Sequence, residues 1–178
     1  SYYILLTHSS SSVLTTIRSR CQVVRFLPLS QKDLRQITKC EPWIAEAAQG
    51  SVELAEALMS EDSEQMREQA FRVWQLFLEG QFLDCLQLAK ELAANKEQSL
   101  LVIRFWQQLI RDARVYSLGR ERLIHQDYTD LAGNLSQLDV NLNQLGEGVL
   151  KLEGEVSGNL DRSLSFENYF YEIQSAVR

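Results

Sequence analysis

The chain has 178 residues, 45% of them hydrophobic and 24% charged, and a formal net charge of −6. That is enough chain and enough apolar content for one real core, with or without a small satellite. No run of about 18 apolar residues occurs, which argues against a membrane-spanning helix, and no charged, apolar and small-residue leader pattern opens the sequence.

The charge is unevenly spread. Up to Lys39 there are six cations (Arg18, Arg20, Arg25, Lys32, Arg35, Lys39) against one anion, Asp33; beyond it there are 12 cations against 23 anions. Long-range attraction of the bulk of the chain to a phosphate backbone is therefore not expected, and any meeting with a polyphosphate falls to the first segment. Cys21, Cys40 and Cys85 are odd in number, widely spaced and without a Cys-x-x-Cys pair. They read as reduced thiols of a cytoplasmic protein, with neither a zinc site nor a disulfide framework expected.

In chain order, residues 1–28 read as strand, loop, short helix and strand. Tyr2 to Leu6 is wholly apolar, as in a strand buried on both faces of a parallel sheet. Ser9 to Ser12 forms a loop, Ser12 caps a helix carrying Val13, Leu14 and Ile17, and Gln22 to Phe26 forms a second strand that Pro28 stops. Two such strands leave edges unpaired, so alone they are expected to fray, rearrange or pack on a neighbouring copy.

Residues 29–60 read as three short helices. Ser30 caps the first, Gln31 to Lys39; Pro42 sits in the first turn of the second, whose buried face is Trp43, Ile44, Ala47 and Ala48. Gly50-Ser51 ends that helix and caps the third, Val52 to Met59.

Residues 61–178 read as all helical. Phe71, Trp74, Leu78 and then Phe82, Leu86, Ala89, Leu92 follow helical spacing, with Gly80 at the bend between them. A wide apolar stripe (Leu100, Ile103, Phe105, Trp106, Leu109, Ile110, Ala113) predicts a helix from about Lys96 to Val115, closed by Gly119. A short helix at Tyr128 to Leu131 follows, then one from Ser136 to about Leu152. After a break at Gly154 to Gly158, a last helix from Asn159 to Val177 carries Leu160, Leu164, Phe166, Tyr169, Phe170 and Ile173. The fold class expected is mainly α.

Little in the sequence carries chemistry by itself. His8 and His125 have no Cys or carboxylate at metal-ligand spacing and read as surface or satisfied histidines. Trp74, Phe105 and Trp106 lie on apolar helical faces in an acidic region, which makes them core residues rather than base-stacking platforms. No nucleophile motif, paired catalytic carboxylates or Gly-rich phosphate cradle is present, and neither a cofactor nor a metal is expected.

Two groups of residues nevertheless resemble a known family. A strand ending in Thr7, followed by Thr16-Ile17-Arg18-Ser19-Arg20-Cys21 at the end of a short helix, resembles the sensor-1 strand and arginine-finger motif of the clamp-loader branch of the AAA+ ATPases. Trp106 to Ala113, Asp127, and the closing Asn159 to Tyr169 resemble the C-terminal helical domain of the δ′ subunits of the bacterial DNA polymerase III clamp loader. Where that last helix usually opens with two Asn spaced two apart, Asp161 replaces the second.

The resemblance implies a remnant of an α/β ATPase domain (1–28), a three-helix lid (29–60) and an all-α collar domain that closes a pentameric ring (61–178). It implies that Arg20, flanked by Ser19 and Cys21, reaches the γ-phosphate of a nucleotide held by a neighbouring γ or τ subunit, and that Thr7 occupies the sensor-1 position without a nucleotide to sense. The implied partners are the γ/τ and δ subunits, with the β sliding clamp and primed DNA met through the complex and no direct nucleic-acid contact by the collar. Three residues after Gly50, where hydrolysing subunits carry a sensor-2 Arg, stands Glu53, which favours a subunit that donates a finger but does not itself hydrolyse ATP. Two other readings stay open: a γ/τ-type or replication-factor-C-like ATPase fragment, and a helical interaction scaffold in which Ser-Arg-Cys is coincidence.

Overall fold

The structure is a computed structural model that describes residues 3–7, 13–120, 122–158 and 160–177. Its described residues form ten α-helices and no strand. They are α1 (Thr15–Arg18), α2 (Gln31–Thr38), α3 (Pro42–Ala47), α4 (Val52–Leu58), α5 (Glu61–Leu78), α6 (Phe82–Leu92), α7 (Lys96–Ser117), α8 (Thr129–Ser136), α9 (Leu142–Ser157) and α10 (Arg162–Ala176), with a 3-10 turn at Gln126–Tyr128 before α8.

The helix starts follow local chemistry. Ser30, Ser51, Ser60 and Asn95 each accept a backbone N–H three residues on, which satisfies an otherwise orphaned donor at the start of α2, α4, α5 and α7. Pro42 opens α3, where its missing N–H costs nothing. Gly80 and Gly119 turn the chain with φ of 76° and 67°, in the left-handed region where an L side chain is disfavoured.

Helices α2, α3 and α4 pack on one another around Leu34, Trp43, Ile44, Ala47, Ala55 and Leu58. Helices α5 to α10 form a larger bundle in which α7 packs against α5, α8 and α9, while α10 lies between α6 and α9. Its centre is aromatic. Trp74 and Trp106 both lose all solvent exposure, and Phe170 approaches each ring edge-on at centroid distances of 5.3 and 5.2 Å. Such contacts add roughly 0.5–1.5 kcal/mol per pair to the gain from area burial. The Trp106 indole N–H donates to the Ala70 carbonyl at 2.8 Å, so one polar end of this cluster is satisfied inside the core. Trp74, Phe105 and Trp106 are thus core residues, as their helical spacing predicts.

The first segment departs from the expected strands. Residues 3–7 and 21–30 have no sheet pairing, and Ile4, Leu6, Phe26 and Leu27 are each more than 80% exposed. A strand needs a neighbour to accept its backbone bonds, and two isolated apolar segments supply too little buried area to order each other. Among the described residues between them α1 forms, and none of its residues is buried. Tyr2 and Ser12, named for the first strand and the helix cap, lie outside the described residues.

Three other boundaries differ from expectation. The short helix expected at Tyr128 to Leu131 extends to Ser136 as α8, and the helix expected from Ser136 starts only at Leu142 as α9, because Asn141 accepts the Asn143 N–H and caps it. Gly154 lies inside α9 rather than breaking it. Asp161 accepts the Leu164 N–H at 3.0 Å and starts α10 at Arg162, so Leu160 precedes the helix; Leu160 and Leu164 are 56% and 54% exposed rather than core.

Candidate functional site

Arg20, the residue singled out from sequence, stands in the turn that follows α1 and is exposed. Its Nη1 donates to the Thr16 carbonyl at 2.7 Å, and the Ser19 hydroxyl donates to the same carbonyl at 3.1 Å. One carbonyl thus holds both residues against the last turn of the helix. The other guanidinium nitrogens stay open to solvent, a geometry compatible with bidentate recognition of an anion. Cys21 is an exposed free thiol. Thr7 is exposed in the extended segment, and neither it nor Arg20 lines the concavities around α2 and α3 or between α9 and α10. His8 lies outside the described residues. Glu53 is exposed in the first turn of α4, where a carboxylate also complements the helix dipole.

A second polar constellation, not anticipated from sequence, joins α2–α4 to the bundle. Arg67 of α5 is only 4% exposed. Its guanidinium lies 4.2 Å from the Trp43 ring centroid and 5.3 Å from that of Tyr128, and Nη1 reaches the Asp127 carboxylate at 2.8 Å. A buried cation needs such compensation, and two ring faces plus one carboxylate supply it. One sequence signal was Arg67 itself, a cation sitting at helical spacing from Phe71 and Trp74 within an apolar stripe.

Beside it, His125 is 1% exposed and packs against Phe71 at 4.8 Å and Trp43 at 5.6 Å. Its Nε2 pairs with Gln108 Oε1 at 2.9 Å, while Nδ1 has no partner among the described residues. Burial, reinforced by the nearby positive charges of Arg67 and Arg111, lowers its pKa from 6.5 to about 3, so the ring is neutral at physiological pH. Asp112, with no exposed surface, accepts the backbone N–H groups of Ile124 and His125 at 2.9 Å each and the Arg111 guanidinium at 2.7 Å. It thereby fixes the loop that leads into the 3-10 turn. Arg122 extends the joint to α2 and α3 through Gln31 at 3.4 Å and Glu46 at 3.9 Å, and Gln31 also donates to Glu46.

The joint pins α2–α4 to the bundle: His125 is a neutral, buried ring, and Arg67 is held between the Trp43 and Tyr128 rings and by Asp127 through Nη1, while its buried Nε has no hydrogen-bond partner among the described residues. Cys85 is equally shielded, since burial pushes its thiol up to about 12. Among the described residues no group of three or more His, Cys, Asp or Glu is arranged to hold a metal ion, and no helix is long and apolar enough to cross a membrane. No family model, curated protein or solved structure matches the chain.

Proposed function

We propose that this chain is the C-terminal part of a δ′-type subunit of a bacterial clamp loader, a cytoplasmic assembly protein without ATPase activity of its own. In this reading 1–28 is the end of an ATPase domain, α2–α4 is the lid, α5–α10 is the collar, and Arg20 is an arginine finger offered to a nucleotide in the adjacent subunit. The observation that carries the proposal is the Ser19-Arg20-Cys21 turn: an exposed guanidinium held by one bond to Thr16 with its remaining donors free. A finger requires this combination of fixed position and open donors.

Supporting features are the joint at Trp43 and Arg67, through which a lid would be coupled to a collar, and the exposed apolar residues of 3–6 and 23–27. Glu53 argues against the alternative of a hydrolysing γ/τ-type subunit, because its carboxylate would repel a phosphate at that position. The test is assembly. The full-length protein carrying this chain, expressed with the clamp-loader γ/τ and δ subunits, is expected to co-purify with them in a stoichiometric complex by size exclusion. Elution as a separate species would support an unrelated scaffold instead.

A further inference from the structure

We propose that the exposed face of α2, presenting Lys32, Arg35 and Lys39, is a docking surface for the phosphate backbone of a nucleic acid. The face is built on the side of α2 away from its one buried residue, Leu34. Lys32, Arg35, Gln36 and Lys39 are all exposed there, and they line a single open concavity with Cys40 and Pro42. At ~1.5 Å of rise per residue, the three cations form a row about 10 Å long.

None of these three side chains has an ion-pair or hydrogen-bond partner among the described residues. Yet carboxylates are close by in sequence, and each is turned elsewhere. Asp33 accepts from the Ser30 hydroxyl at 2.6 Å, Glu41 from the Trp43 indole at 3.1 Å, and Glu46 from Gln31 with Arg122 at 3.9 Å. The positive face is thus left uncompensated in a chain whose remainder is acidic.

Helix stability does not explain the row either. Arg35 and Lys39 stand near the C-terminal end of α2, where a cation complements the helix dipole, but Lys32 is in the first turn, where it opposes it. The composition separates the possible occupants. A protein partner is held by aromatic, Met or aliphatic anchors at a desolvated centre, and Lys is depleted there. This concavity is lined by three cations and two Gln, with no aromatic anchor. Long flexible donors without an apolar centre suit phosphate contacts, which position a strand without reading its bases. The acidic bundle limits long-range steering, so binding rests on short-range contacts and is weak and salt-sensitive.

The test is fluorescence anisotropy of a labelled 20-nucleotide single strand titrated with this chain from 20 to 150 mM salt. Three phosphate contacts predict a slope of log K against log salt of about −2. Replacing Lys32, Arg35 and Lys39 together by Gln is expected to weaken binding at least tenfold with an unchanged melting temperature, and Lys32→Glu alone to weaken it severalfold. A charge-matched triple at Arg72, Lys90 and Lys151, whose side chains already pair with Glu79, Glu167 and Glu172, is expected to change affinity less than twofold. No binding by the unmodified chain at 20 mM salt, or equal losses in the two triple variants, would overturn the assignment. A polyglutamate peptide of equal charge that binds as tightly as the strand would overturn it in favour of an acidic protein partner.

Discussion

Acidification from pH 7 to pH 5 should loosen this protein through one buried ring. His125 has an ordinary pKa of 6.5 in the unfolded chain and about 3 in the folded one, because burial and the flanking Arg67 and Arg111 disfavour its charged form. A lowered folded-state value means that the unfolded chain binds the proton first. The stabilisation is therefore fully present above pH 6.5, declines as the pH falls through the interval, and is exhausted near pH 3. At pH 5 the solution lies ~1.5 pH units below the unfolded value, and at ~1.36 kcal/mol per unit the loss is about 2 kcal/mol.

Urea unfolding followed by tryptophan fluorescence reads this directly. To isolate the contribution of this ring, the comparison is with His125→Gln, which keeps a polar group facing Gln108 but cannot take up a proton. The substitution lowers stability at pH 7 by about 1–3 kcal/mol. Its further loss between pH 7 and pH 5 should be smaller than that of the unmodified chain by about 2 kcal/mol. Equal losses in the two proteins would refute the reasoning.

Two further outcomes concern stability and thiol access. Asp112→Ala leaves the N–H groups of Ile124 and His125 without their acceptor and should cost about 2–4 kcal/mol, visible as a drop of roughly 4–16 °C in Tm; Asp112→Asn, which keeps one carbonyl oxygen, should cost less. Titration with a thiol-reactive disulfide under native conditions should label Cys21 alone at a fast rate, with Cys40 and Cys85 reacting only in denaturant, since both are buried and the Cys85 thiol is pushed up to about 12.

Much of the helical organisation is written locally. Ser30, Pro42, Ser51, Gly80 and Gly119 place helix ends by rules that need only neighbouring residues, and the faces of α3 and α7 follow from spacing. The segments read as strands at Tyr2 to Leu6 and Gln22 to Phe26 show no sheet among the described residues, as the expectation that they fray when alone allows: an apolar sequence states the propensity, and a partner must supply the bonds. The helix start placed at Ser136 failed because periodicity continues across the 137–141 connection, where the capping oxygen of Asn141 decides.

The joint was hidden for a different reason. Arg67 and Asp127 are 60 residues apart, and Trp43 meets His125 across a still longer separation, so nothing local links them. A cation in the Phe71–Trp74 stripe and a carboxylate, Asp112, inside the Leu109–Ala113 stripe were the available signs. Polar residues on an apolar face must find partners or pay a desolvation penalty, and here they do so by pinning one helical unit to the other.

The central claim rests on Arg20 and is met most directly by ATP turnover in a reconstituted full-length loader carrying Arg20→Ala. An arginine finger contributes on the order of 10³–10⁵ to turnover at the site it serves. DNA-stimulated hydrolysis at the neighbouring subunit is expected to collapse while the complex still elutes intact, and Arg20→Lys, which keeps the charge but not the forked donors, is expected to rescue little of it. Unchanged turnover with an intact complex would contradict the finger role of Arg20.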